Sequence, residues 1–131
     1  MSFERPKFHL DTNSCIYLFR NEFPALANRV QQCQPLQIGI SAAVYAEILY
    51  GVRQGKGPPM EMLDRFIRQV PVRSIGVDVA HAYAYARLPL KRGTLDHLIA
   101  AHALAEEATL ISKNSRDFFR SDELLLEDWT V

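Results

Sequence analysis

His9-Leu10-Asp11-Thr12-Asn13 (HLDTN, residues 9–13) sets an acid at the seam between two kinds of local structure. Lys7 to Leu10 reads as a short buried strand, and Cys15, Ile16, Leu18 and Phe19 follow at a spacing compatible with a helix over 13–20. Asp11 therefore stands where a strand ends and a helix begins. An acid there either caps the helix by accepting a backbone N–H, or serves as a ligand at the strand end.

Working outward, the same alternation repeats. Pro24 to Gln32 reads as a helix with proline at its start, and Gln37 to Ile40 as a second strand. Ser41 is an N-cap for a helix running to about Arg53. Gly55 to Pro59 (GKGPP) is a loop, and Met62, Phe66 and Ile67 lie at helical spacing within 59–70. Val72 to Ile75 suggests a third strand. Asp78 is positioned to cap a helix holding His81, Tyr85 and Leu88. Leu95 to Glu106 is the clearest helix, with Leu98, Ala101, Leu104 and Ala105 read as one face. Thr109 to Ser112 and Leu124 to Leu126 complete the strands. The pattern predicts a single α/β domain over 1–131, its mainly parallel sheet flanked by helices on both faces.

The chain's 131 residues are 48% hydrophobic, enough for a real core. No apolar run approaches a membrane span, and MSFERPKF is not a signal peptide, so a cytoplasmic protein without membrane association is expected. Cys15 and Cys33 lack metal-type spacing and read as thiols rather than a disulfide. Fifteen basic residues balance fifteen acidic ones, which argues against binding nucleic acid by bulk charge alone. It does not exclude a nuclease, since four acids gathered round a metal would leave a basic rim.

Four acids fall at informative places: Asp11; Glu47 in AEILYG; Asp96 at the start of LDHLIAAHALAE; and Asp117 after the strand TLIS, in KNSRDF. A parallel sheet can bring several of them to one edge. Two such charges about 4 Å apart repel by about 4 kcal/mol at an effective dielectric of 20, so a cluster must share protons or bind a cation. Oxygen ligands suit a hard ion, Mg²⁺ or Mn²⁺, which can activate water and neutralise a phosphodiester. Each acid also has an ordinary reading. Asp96 can be a helix-dipole partner, Glu47 a solvated helix acid, Asp117 a loop residue and Asp11 a cap.

At these residues the chain resembles PIN-domain proteins of the VapC toxin type. LDTN, AEILYG, LDHLIAAHAL, ISKNSRDF and LLLEDW occur in the family's order and at similar spacing, from about Phe8 to Trp129. The resemblance implies a Mg²⁺-dependent endoribonuclease (Mn²⁺ as substitute), the toxin of a type II toxin–antitoxin module. Asp11, Glu47, Asp96 and Asp117 would form the catalytic metal site. Asn13, Ser112 and Asn114 would support it from behind, Asn13 by steadying the first aspartate. It also implies structured RNA such as transfer RNA as substrate, a cognate antitoxin obstructing the site, a homodimer, and DNA contact only through the antitoxin. One stretch departs from the pattern. Relatives commonly carry a longer segment, often G-T-P-I-G-x-x-D, where this chain has LPLKRGTLD; Gly93 then stands three positions before Asp96, and Pro89 cuts the preceding helix early.

His97 and His102 are five apart and do not share a helical face as a zinc pair would, so both are read as structural, and His9 and His81 show no partner in sequence. Tyr45, Tyr83 and Tyr85 read as packing or interface residues rather than base-stacking ones. Lys56, Lys91, Arg92, Lys113, Arg116 and Arg120 are candidates for phosphate contacts, each with an ordinary solvated reading. Phosphoryl transfer on Asp11 is disfavoured because a second aspartate two residues on is missing. A receiver domain is disfavoured because paired acids after the first strand are missing. The remaining alternative is a PIN-fold protein with weak or no catalysis, acting with a DNA-binding antitoxin at a promoter.

Overall fold

A computed structural model describes residues 5–88, 90–113 and 123–131. Along them run β1 (Phe8–Leu10), α1 (Thr12–Phe19), α2 (Pro24–Gln31), β2 (Ile38–Ser41), α3 (Ala42–Arg53), α4 (Met60–Gln69), β3 (Val72–Arg73), α5 (Val77–Tyr85), α6 (Leu95–Ala105), β4 (Thr109–Ile111) and β5 (Leu126–Glu127). The strands form one sheet in the order β3-β2-β1-β4-β5, and every pairing is parallel. From β1 the chain builds outward through β2 to β3, then returns to lay β4 on β1's other side. The order therefore switches direction between β1 and β4, which is where open parallel sheets hold their ligands.

Strand register sorts the side chains. Phe8 lies beside Ile38, His9 beside Gly39, and Ser41 beside Arg73. Neighbours in a parallel register share a face, so His9, Gly39, Ser41 and Arg73 form a polar strip on one side, and α6 covers it. Phe8 and Leu10 point the other way. There Phe8 meets Trp129 edge-on, ring centroids 4.8 Å apart, and Arg29 of α2 lies 4.5 Å over the indole. Leu10, Leu26, Ile38, Ile40 and Val44 are fully or almost fully buried in the core between the layers.

Most expected elements appear within two residues of their expected ends, and the departures have local causes. Ser41 caps α3 as expected, its Oγ accepting from Ala43 N–H. Asp78 does not cap α5: Gly76 does, and Asp78 sits in the first turn. That helix stops at Tyr85, so Leu88 lies beyond it; Ala86 has already turned to extended backbone (ψ 143°). Pro89 is outside the described residues. The third strand is two residues long, because only Val72 and Arg73 find partners on β2. The apolar face assigned to α6 is also corrected. His97, Ile99, Ala100, Ala101, His102 and Ala103 are buried, while Leu98 and Leu104 are only partly so. The helix is enclosed on most sides by the sheet, α3 and α5. Small alanines suit that position better than one leucine stripe.

Among the described residues, no helix is long and apolar enough to cross a membrane. Cys15 and Cys33 are free thiols, Cys15 buried and Cys33 half-buried. Burial, and then the neighbouring Asp11 charge, push the Cys15 thiol well above its ordinary value.

Candidate active site

Asp11 caps the helix, the first of the two roles its position allows, and faces the cavity with the rest of its carboxylate. Its backbone is extended (φ −77°, ψ 172°), and its Oδ1 accepts from Ser14 N–H at 2.8 Å, capping α1. Among the described residues no hydrogen bond engages Oδ2. Asp11 N–H donates to Ile111 O at 3.2 Å and Ser14 Oγ donates to the same carbonyl at 3.1 Å. The first turn of α1 is thus sewn to the end of β4, at the switch in strand order.

A cavity of about 370 Å³ opens there, and Asp11, Asn13, Glu47, Asp96 and Ser112 all line it, with Ile16, Ile99 and Leu110 among its apolar walls. Three of the four acids singled out in the sequence therefore meet in one place, although they are spread over 86 positions of the chain. The fourth, Asp117, lies outside the described residues, as do Asn114, Arg116 and Arg120. Glu47 arrives from α3, Asp96 from the first turn of α6 and Asp11 from the end of β1.

The sequence reading passed over Thr12. Its Oγ1 donates to Glu47 Oε1 at 2.5 Å, fixing one oxygen of a carboxylate that is otherwise exposed on α3. A hydroxyl directly after the strand-end acid was the available signal. Thr12→Val should keep the fold and reduce any cavity-dependent turnover by about threefold to tenfold, the worth of one charge-assisted hydrogen bond; steady-state rates at saturating metal would show it. The residue bonded to the Asp11 carboxyl is Ser14, through its backbone, while Asn13 lines the cavity beside it.

The shortened run before Asp96 still delivers that acid to the cavity. Gly93 takes a left-handed backbone (φ 82°), open to glycine without strain. Thr94 then caps α6: its Oγ1 donates to Lys91 O at 2.6 Å and accepts from His97 N–H at 3.3 Å. Tyr83 of α5 stacks on buried His97, centroids 4.3 Å apart, and its hydroxyl accepts from Gly93 N–H at 3.1 Å. Tyr85 is exposed and stacks on His81 instead, while Tyr45 packs against the core.

A metal would suit the cavity. Its described wall offers carboxylate, hydroxyl and amide oxygens and no histidine or cysteine, the donor set of a hard divalent ion. A second cluster offers different chemistry. A ring nitrogen each of His9 and His102 and a Glu106 carboxylate oxygen lie within 4.8 Å of one another, all buried. Yet Arg73 already grips Glu106 Oε2 through Nε at 3.0 Å and Nη2 at 2.7 Å. Adding a divalent ion would bury two net positive charges, at a cost that ligation by two imidazoles does not offset. These residues instead bolt α6 to the sheet. His9 Nε2 meets Glu106 Oε1 at 2.7 Å, and His102 Nδ1 meets Ser41 Oγ at 2.7 Å. The His9 and Arg73 hydrogen bonds overcome burial and hold the Glu106 carboxyl down to about 2; burial lowers His102 to about 4. Histidine 102 is therefore neutral in the folded protein, as its structural reading requires.

With this geometry in view, comparison with known proteins is decisive about ancestry. A PIN-domain family model matches residues 9–124, so the chain belongs to the PIN-domain family. It is 32% identical over 130 residues to Ribonuclease VapC2 of Rickettsia felis, covering 93% of this chain and 97% of that one. It is 28% identical over 131 residues to the tRNA(fMet)-specific endonuclease VapC of Shigella flexneri, covering 95% and 98%. The fold of VapBC from Salmonella typhimurium, solved bound to DNA, superposes with a TM-score of 0.82 at 27% identity, covering 95% and 98%. Within the PIN family, the chain belongs with the VapC ribonuclease toxins.

Proposed function

We propose that this protein is a metal-dependent endoribonuclease, the toxin of a toxin–antitoxin pair, and that the cavity at the ends of β1 and β4 is where it cuts RNA. The observation that carries this reading is the convergence of Asp11, Glu47 and Asp96 on one cavity wall. Asp11 and Asp96 would hold Mg²⁺ or Mn²⁺, with Glu47 binding it directly or through water; Asp117 is the fourth ligand that the family pattern supplies. Bound there, the ion supplies an activated water and charge neutralisation at the scissile phosphate.

The chain's own groups prepare that chemistry. The first turns of α1 and α6 favour negative charge at Asp11 and Asp96. Ser14 N–H fixes one Asp11 oxygen and turns the carboxylate, while Thr12 orients Glu47. Ser112, buried at the end of β4, and Asn13 support the acids from the wall; Asn114 belongs to the same set by family pattern. Ile16, Ile99 and Leu110 provide apolar walls that strengthen the electrostatics inside.

The relatives supply the substrate to test: the Shigella relative is named as a tRNA(fMet)-specific endonuclease, so transfer RNA comes first here. The Salmonella neighbour was solved as a VapBC complex on DNA, which supports a cognate antitoxin partner; that partner would cover the cavity and carry any DNA contact. The protein is read as a cytoplasmic homodimer. Chelation should abolish cleavage of total bacterial RNA by the purified toxin, and Mn²⁺ or Mg²⁺ should restore it; cleavage that persists in excess EDTA defeats the proposal. A PIN fold acting only through a promoter-bound complex would instead show no metal-dependent cleavage while still binding its antitoxin.

A further inference from the structure

On the proposed reading of Asp96 as a metal ligand, we infer that Tyr83 is a positioning residue: through His97 and Gly93 it sets the turn that aims Asp96 into the cavity. The argument starts from the missing length. The run LPLKRGTLD leaves few residues between α5 and α6, so the turn has little chain with which to brace itself. Its first constraint is internal. Thr94 closes the turn on Lys91 O and caps α6. That fixes the helix start, while Leu88 and Leu90 anchor the run ahead of the turn on the core.

Tyr83 provides the external constraint at two points. Its ring lies nearly parallel to that of His97, 29° between planes and 4.3 Å between centroids. His97 is the residue after Asp96 and is 3% exposed, so the stack fixes the rotation of the first turn of α6. Its hydroxyl accepts from Gly93 N–H at 3.1 Å, on the other flank of Asp96. One side chain on α5 therefore holds residues three before and one after the acid. Asp96 itself is exposed, with no hydrogen bond of its own among the described residues, so its direction comes from the backbone beneath it. Gly93 adds a hinge, since its left-handed backbone meets no neighbouring atom within 4 Å of a built Cβ. Without Tyr83 the turn loses both of these ties to α5, keeping only the packing of Leu88 and Leu90 against the core. The exposed Tyr85 two residues on makes no such contact with the turn.

The test separates ligand strength from general damage. Mn²⁺ titrations would record both the half-activating concentration for RNA cleavage and Mn²⁺ binding to the free protein by electron paramagnetic resonance, in wild type, Tyr83→Phe, Tyr83→Ala and Asp96→Asn. Loss of an orienting residue behind a metal ligand costs about tenfold in metal affinity. Tyr83→Ala is therefore expected to raise the half-activating concentration about tenfold while keeping the maximal rate. Tyr83→Phe, which keeps the stack and loses only the hydroxyl, should raise it about threefold. A Tyr83→Ala protein with unchanged metal dependence, or with a lowered maximal rate at unchanged metal dependence, overturns the inference. Should Tyr83→Ala fail to fold, Tyr83→Phe decides on the same readout, no shift counting against it. Asp96→Asn keeps the two failures apart. If that variant binds Mn²⁺ as wild type does, the ligand assignment itself is wrong. If it loses the ion while the Tyr83 variants keep it, only the positioning role falls.

Discussion

Asp11→Asn should abolish RNA cleavage by about a hundredfold to a thousandfold and leave the protein as stable as before, or slightly more so. On the proposed metal reading, the rate loss would come from withdrawing a carboxylate from the ion, an effect worth several kcal/mol in the transition state. The stability result follows from the cap. Asparagine accepts from an N-terminal amide about as well as aspartate, so the bond to Ser14 N–H survives the change. Removing one charge from a wall that also carries Glu47 and Asp96 relieves repulsion in the metal-free protein. Asp11→Ala loses the cap as well and should cost about 1 kcal/mol of folding stability. Rates and thermal melts of the two variants together separate the two functions of one side chain. Equal activity in Asp11→Asn and wild type would remove the metal site from the account.

The second large effect lies on the opposite side of α6's length, where Glu106 is 8% exposed and takes hydrogen bonds from Arg73 and His9. Glu106→Gln should lower stability by about 2–4 kcal/mol, since breaking a buried charge pair costs about 3–5 kcal/mol and Arg73 is partly able to reach water. The pH dependence has two parts of the same sign. His102 falls from an ordinary 6.5 to about 4 on folding, so the unfolded chain takes up a proton first and stability drains away between about pH 6.5 and 4. Glu106 is held at about 2, against an ordinary 4.5. Its contribution is present above about pH 4.5 and is lost as pH falls towards 2. Each window spans about 3 kcal/mol at 1.36 kcal/mol per unit. Urea unfolding across this range should show His102→Gln flattening the upper window and Glu106→Gln the lower one. A wild-type protein whose stability is level from pH 7 to 4 would contradict the burial of a neutral His102.

The sheet and the strand-end acid Asp11 were legible because their signals are local. A short apolar run, an acid, then a capped helix is a statement made within ten residues, and HLDTN makes it; Ser41 makes the same statement for α3. The position of Glu47 and Asp96 relative to Asp11 followed from motif order rather than from periodicity, since nothing in either helix alone tells a ligand from a solvated acid. What stayed hidden depends on partners far along the chain. Glu106 looks like a helix-end charge until His9, 97 residues away, and Arg73, 33 residues away, close on it. The face of α6 was misread for a related reason: helical spacing of leucines marks one buried side, whereas this helix is enclosed on several, and its alanines carry that information only once α3, α5 and the sheet are in place. Tyr83 was legible as a packing residue but not its partners, because its contacts with His97 and Gly93 involve a turn that the sequence shows only as short.

Gly39 has no side chain where one would be crowded, for a Cβ there would lie 3.1 Å from Arg73 Cγ and 3.1 Å from Pro71 O. That gap lets the guanidinium cross the sheet to Glu106, which ties down a border strand only two residues long. A border so brief, carrying a cation already committed inward, offers a passing peptide almost no ladder of free amides on which to extend. The same arginine that steadies the interior thus lies on a rim too short to template an added strand.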